Sequence, residues 1–130
     1  MLIDDNEIDI FINQKTIESL NFVERIQTFS CAKDALNYLK LIEEKNAYYQ
    51  LLAPQLILLD INMPIMDGFA FLDEFNKFNI FKQKPVDIFV LSSSLSPNDI
   101  SKINSYKNVS GFISKPLVAE KFIAQLKMIT

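Results

Sequence analysis

The apolar run Leu56-Ile57-Leu58-Leu59 stops at Asp60, and no other stretch restricts the possible folds so strongly. Four consecutive apolar residues read as a strand buried on both faces, the usual condition of a parallel sheet covered by helices on either side. A carboxylate at the mouth of such a strand is costly unless something holds it. Pro64 and the Asp67-Gly68 pair follow, so the backbone leaves through an irregular loop before a new apolar periodicity begins at Phe69. On its own, Asp60 reads as a strand terminus as readily as a functional group.

The flanking segments supply the context. Met1 to Ile3 reads as a strand whose first residues are missing or very short, running into Asp4-Asp5. From Asn6 to Leu20, the residues Ile8, Phe11, Ile12, Ile17 and Leu20 recur at roughly helical spacing. Arg25 to Ser30 alternates like an edge strand. Ala32, Ala35, Leu36, Leu39 and Ile42 mark a second helix that ends in the polar stretch Glu43 to Asn46, and Tyr48 to Ala53 has no clear pattern. After the central strand, Asp67 caps a third helix with Phe69, Leu72 and Phe75 on its inner side. Ile88 to Leu91 is a strand closing on Ser92-Ser93-Ser94. Ser96-Pro97 with Asp99 opens a fourth helix over 97–106, thin in apolar residues and so suited to a weakly held element. Val109 to Ser114 gives a fifth strand, broken by Lys115-Pro116, and Leu117 to Ile129 a last amphipathic helix.

Five β-α units in strict alternation predict one α/β domain over residues 1–130: a doubly wound (βα)5, flavodoxin-like parallel sheet in the order 2-1-3-4-5. Composition agrees, with 49% hydrophobic and 22% charged residues in a 130-residue chain. The formal net charge of -3 and the lack of a basic run argue against a nucleic-acid partner. No apolar run is long enough to span a bilayer and no signal peptide is evident, so a cytoplasmic protein without a membrane partner is expected. The single cysteine, Cys31, fits a reducing compartment and reads as a small buried residue. Histidine is absent, which removes imidazole bases, Ser/Cys-His triads and most zinc sites. Chemistry must then use carboxylates, hydroxyls and lysines.

In the predicted topology Asp4 and Asp5 end the first strand, Asp60 the third, Ser92 the fourth and Lys115 the fifth, so all five reach one sheet edge, where open α/β sheets bind ligands. Each has a plain structural reading: Asp4-Asp5 as a helix cap, Ser92 as a turn residue, Lys115 as a surface charge. Their convergence favours function. Three neighbouring carboxylates repel one another unless a cation joins them, and Mg²⁺ suits their hard oxygens. Asp60 is then a plausible nucleophile toward phosphorus, with Lys115 neutralising phosphoryl charge and the Ser92 hydroxyl donating to a phosphoryl oxygen.

These motifs resemble the receiver domains of two-component response regulators. The matching pieces are Asp4-Asp5, Asp60 with Met63-Pro64 and Asp67-Gly68, Leu91-Ser92-Ser93, and Phe112-Ile-Ser-Lys115-Pro116, and they span essentially the whole chain. The resemblance implies a CheY-like fold and a phosphoprotein in which Asp60 receives a phosphoryl group from a histidine kinase or phosphotransfer protein. It implies Mg²⁺ ligation by Asp5, Asp60 and the main-chain carbonyl of Asn62, with Asp4 acting through a water. Lys115 would contact the phosphoryl group, usually with a cis bond to Pro116. Ser92, with Ser93 as fallback, and Phe112 would form the switch pair; phenylalanine lacks a phenolic hydroxyl, so coupling would rest on packing. Asn62 and Ser94 match positions that tune phosphoryl loss. The downstream partner would meet the fourth helix, fifth strand and last helix. The domain is expected to stand alone or to be excised from a longer protein, and to catalyse only its own phosphorylation and dephosphorylation.

Three other readings remain. A Mg²⁺-dependent phosphatase of the haloacid-dehalogenase type also uses an aspartyl nucleophile, but after the first strand and with a second acid where Asn62 stands. A flavin binder would need a phosphate-cradling loop in place of Asp4-Asp5-Asn6-Glu7. A receiver-shaped module that binds partners without phosphorylation would not need the full acidic set.

Overall fold

The computed structural model describes residues 1–45 and 47–129. Its strands are β1 (Leu2–Ile3), β2 (Thr28–Phe29), β3 (Leu56–Asp60), β4 (Asp87–Ser92) and β5 (Val109–Ser114). They form one sheet in the order β2-β1-β3-β4-β5, with every pairing parallel. The helical segments among the described residues are α1 (Glu7–Glu18), α2 (Ala32–Glu44), α3 (Ala47–Gln50), α4 (Gly68–Phe75), α5 (Ile80–Gln83), α6 (Pro97–Asn104) and α7 (Ala119–Ile129).

Side-chain alternation along the central strands decides which helix covers which face. Ile57 and Leu59 of β3, with Ile88 and Val90 of β4, join one core that includes Ala35 and Leu39 of α2, Phe71 and Leu72 of α4, Phe81 of α5 and Ile103 of α6. Leu58 of β3 and Phe89 and Leu91 of β4 point the other way, to Ile17 of α1 and Phe122 of α7. Because both faces of β3 and β4 are buried, these two central strands read as nearly unbroken apolar runs.

The predicted fold and strand order are those observed; the differences lie at the margins. The strand expected over 25–30 is reduced to Thr28–Phe29, and the helix expected over 97–106 ends at Asn104. Asn6, read as part of the first helix, is its N-cap, accepting from the Ile8 and Asp9 amides. Two four-residue helices, α3 and α5, were not foreseen, and Asn46, read as part of the end of α2, lies outside the described residues. Cys31 is half-buried at the start of α2, not buried as expected, because it occupies the exposed turn into that helix. On α1, Ile8, Phe11 and Ile12 are exposed although their spacing signalled the helix. None of the helices among the described residues is long and apolar enough to cross a membrane.

α6 is held by more than its thin apolar face. Ile103 is fully buried. The Tyr106 ring stacks near Phe69 of α4, and its hydroxyl donates to Asp73 at 2.8 Å. The Lys102 ammonium sits 4.3 Å from the centre of the Phe69 ring. Burial and the Asp73 carboxylate push the Tyr106 phenol up to about 12.

Candidate functional site

Parallel strands deliver their carboxyl ends to one edge, and the residues there come from four different strands. Asp4 follows β1, Asp60 closes β3, Ser92 closes β4 and Lys115 follows β5. The Lys115 amide continues the ladder beyond β5 by donating to the Ser92 carbonyl at 2.9 Å, and the bond to Pro116 is cis. The hydrogen bond to Ser92 fixes the lysine's origin at the end of β5, opposite the acids.

Asp4, Asp5 and Asp60 each offer a carboxylate oxygen, and these oxygens lie within 4.8 Å of one another. Asp4 and Asp60 are buried, at 2% and 3% exposure, while Asp5 faces solvent. The Lys115 ammonium approaches Asp4 Oδ2 at 2.7 Å, Asp9 Oδ2 at 3.0 Å and Asp60 Oδ2 at 3.5 Å. Burial raises the Asp60 pKa and the Asp4 charge adds to this, against the opposing pull of the Asn62 amide and Lys115. For Lys115, burial lowers the pKa, but the close contact with Asp4, the hydrogen bond to Asp9 and the charges of Asp60 and Asp4 outweigh it and hold the ammonium above its ordinary range.

The donor set suits a hard divalent cation. Three carboxylates, those of Asp4, Asp9 and Asp60, lie against one ammonium and Asp5 stands beside Asp4 and Asp60, so the acids outnumber the cation. Asp4 Oδ2 is buried and has no well-directed hydrogen bond, its contact with Lys115 being one of charge and proximity. An oxygen cluster of this kind fits Mg²⁺ better than a soft transition metal.

The loop after Asp60 is shaped by two contacts. Asp60 Oδ1 accepts from the Asn62 amide at 3.0 Å, turning the chain as it leaves the strand. Farther on, the Gly68 amide donates to the Ile61 carbonyl, and a Cβ on Gly68 would lie 2.6 Å from Ile61 Cα. Only glycine permits that approach. Between them Ile65 stands fully exposed at φ 68°, and the Met66 amide donates to the Pro64 carbonyl at 2.7 Å. A β-branched residue in that conformation is strained and must be held by its surroundings.

Ser92 is buried at the sheet edge and Ser93 is exposed. The Ser92 hydroxyl donates to the Ser94 carbonyl at 2.7 Å and accepts from the Ser94 amide and from Asn62 Nδ2 at 3.4 Å. It is thus tied to its own loop and to the loop of Asp60. Phe112 lies on β5 and is 36% exposed. The structure therefore gathers Asp4, Asp5, Asp60 and Lys115 into one cluster, links Ser92, Asn62 and Ser94 beside it, and leaves Phe112 toward solvent. Sequence reasoning missed Asp9, whose only signal was its spacing of three from the cap residue Asn6.

Comparisons with known proteins bear on the family and the fold. A family model described as response regulator receiver domain matches residues 1–127. The chain is 30% identical over 120 residues to the probable methanogenesis regulatory protein FilR2 of Methanothrix harundinacea, covering 92% of this chain and 73% of that protein. It is 29% identical over 117 residues to a protein-glutamate methylesterase/protein-glutamine glutaminase of Methanococcoides burtonii, covering 89% of this chain but 29% of that protein. Among solved structures, a two component response regulator from Cytophaga hutchinsonii superposes with a TM-score of 0.85 at 33% identity, over 98% of this chain and 92% of that one.

Proposed function

Since the chain belongs to the response regulator receiver domain family, matched over residues 1–127, we propose that it is a phosphorylation switch whose acceptor is Asp60. The observation that carries this reading is the setting of that carboxylate: buried at the end of β3, 3.5 Å from the Lys115 ammonium, with Asp4 and Asp5 oxygens within 4.8 Å.

In the reaction, an Asp60 oxygen attacks the phosphorus of a phosphohistidine on a histidine kinase or phosphotransfer protein. A P–O bond forms, the P–N bond breaks, and the imidazole keeps the electron pair and takes up a proton. Asp5, Asp60 and the Asn62 main-chain carbonyl would hold Mg²⁺, with Asp4 acting through a water. The ion, when bound, neutralises charge on the phosphoryl oxygens as they transfer. Lys115 approaches the same oxygens from β5 and offsets the remaining charge. The domain turns over no external substrate; it catalyses its own phosphorylation and dephosphorylation, in the cytoplasm.

For the signal to leave the site, the Ser92 hydroxyl must exchange its bond to the Ser94 carbonyl for one to a phosphoryl oxygen. Phe112 follows by packing, since it has no phenolic hydroxyl to bond, and the face of α6, β5 and α7 presents the change to a downstream protein. The test is incubation with acetyl phosphate and Mg²⁺ followed by intact mass measurement. A base-labile gain of one phosphoryl group that Asp60→Asn abolishes is expected; a gain that survives Asp60→Asn, or none in the wild type, overturns the assignment.

A further inference from the structure

One carboxylate touching Lys115 has no part in the chemistry above. Asp9 lies in the first turn of α1, 34% exposed, with Oδ2 accepting from the Lys115 ammonium at 3.0 Å. How α1 begins explains why it is available. Asn6 caps the helix and Asp9 sits three residues on, the spacing of a capping box, in which the acid accepts from the cap residue's own amide. Here the Asn6 amide donates instead to Asp4 Oδ1 at 2.9 Å, and the Asp9 side chain is released to reach β5. A closed ring results. Asp4 Oδ1 accepts from Asn6, Asn6 Oδ1 accepts from the Asp9 amide at 3.1 Å, Asp9 accepts from Lys115, and the ammonium returns to within 2.7 Å of Asp4 Oδ2. Asp60 stands outside the ring, the farthest of the three carboxylates from the ammonium.

We propose that Asp9 is a positioning residue: it tethers the Lys115 ammonium on the α1 side of the site, and so sets how tightly Asp4, Asp5 and Asp60 hold a divalent cation. The reasoning is competition. An ammonium and a divalent cation are drawn to the same carboxylate oxygens, and whatever shares the ammonium leaves those oxygens freer for the cation. Without Asp9 the ammonium settles wholly on Asp4 and Asp60, and the cation must displace it. The consequence for phosphoryl transfer rests on the reading of Asp60 as acceptor; the cation-binding effect does not.

The experiment is Mg²⁺ titration by calorimetry of the full chain, in the wild type, Asp9→Asn, Asp9→Ala, Asp9→Glu, Lys115→Ala and the Lys115→Ala/Asp9→Asn double variant, each first confirmed as folded by circular dichroism. Removing the Asp9 charge is expected to weaken Mg²⁺ binding roughly two- to five-fold, the range for a partly exposed ion pair. Asp9→Ala provides the same readout as a second neutral variant, and Asp9→Glu restores most of the affinity. In the Lys115→Ala background the Asp9→Asn effect falls below about 1.5-fold, because the two residues act as one unit. Equal losses in both backgrounds overturn the tether, since Asp9 then acts only as a nearby charge. Unchanged affinity in Asp9→Asn, or no Mg²⁺ binding by the wild type, overturns it as well. A wild type that binds Mg²⁺ with these dependences yet forms no aspartyl phosphate would sink the acceptor reading and leave the tether standing.

Discussion

Helices α1 and α6 both begin at the carboxyl edge of the sheet with the same local pattern, a polar cap followed three residues later by an aspartate, and they use it differently. At α6 the pattern closes on itself: the Asp99 amide donates to Ser96 Oγ at 3.1 Å, and the Ser96 amide to Asp99 Oδ2 at 3.3 Å. At α1 only the forward half forms, from Asn6 Oδ1, and the return half is replaced by Asp4 and Lys115. The lesson is that a capping motif is a surplus of hydrogen-bonding capacity, and a neighbouring charge can redirect one arm of it. One helix start is local structure; the other is wired into the site.

The variant that should break this contrast most strongly is Lys115→Ala. It removes the cation that holds the α1 start to the acids and is expected to lower stability by about 2 kcal/mol in urea without Mg²⁺, less than the ~3–5 kcal/mol typical of a fully buried pair because the ammonium keeps some access to water. Lys115 lowers the Asp60 pKa that burial raises, so its loss raises that pKa further. A carboxyl with a raised folded-state pKa is stabilising when protonated. The deficit should therefore shrink as pH falls through the raised Asp60 pKa toward the ordinary 3.8. A deficit that grows on acidification would show that the acids are not the cause.

Next come the caps. Ser96→Ala and Asn6→Ala should each cost about 1 kcal/mol in unfolding experiments. Only Asn6→Ala should also weaken Mg²⁺ binding, since it loosens the connection between Asp4 and Asp9. Equal Mg²⁺ affinities in the two variants would erase the distinction between the helix starts. Asp99→Asn should cost only a few tenths of a kcal/mol and leave Mg²⁺ binding unchanged.

The smallest effect belongs to the turn that follows α6. Tyr106, pushed up to about 12, should give a phenol step well above the ordinary value of 10.0 in an alkaline ultraviolet titration, and Tyr106→Phe should remove that step. The folded state's advantage from keeping this proton is present below the ordinary value of 10.0 and lost as pH rises through about 12. At neutral pH the same variant should stay within about 0.5 kcal/mol of the wild type.

The fold was legible because a parallel sheet buried on both faces writes itself as apolar runs, and Leu56 to Leu59 and Ile88 to Leu91 are such runs. From the strand order, the meeting of Asp4, Asp5, Asp60, Ser92 and Lys115 followed as topology. What stayed hidden was decided by contacts across the fold. α3 and α5 are single turns, too short for a period to register. Ile8, Phe11 and Ile12 announced a helix, but which side of it would be buried depended on Phe122 and Leu117 from the opposite end of the chain. Asp9 was indistinguishable from an ordinary capping acid until Lys115, 106 positions away, gave it a partner.

That separation gives the site a place in time as well as in space. Asp4, Asp5 and Asp60 leave the ribosome well before Lys115, and the bond from the Lys115 amide to the Ser92 carbonyl depends on β5 having docked. Until then the growing chain carries its acids without their ammonium, and strands far apart in the sequence must be brought together before the cluster gains it. If Asp60 is the acceptor proposed above, a chain whose β5 has not docked is expected to take up little phosphoryl group from acetyl phosphate, because Lys115 is not yet beside the acids.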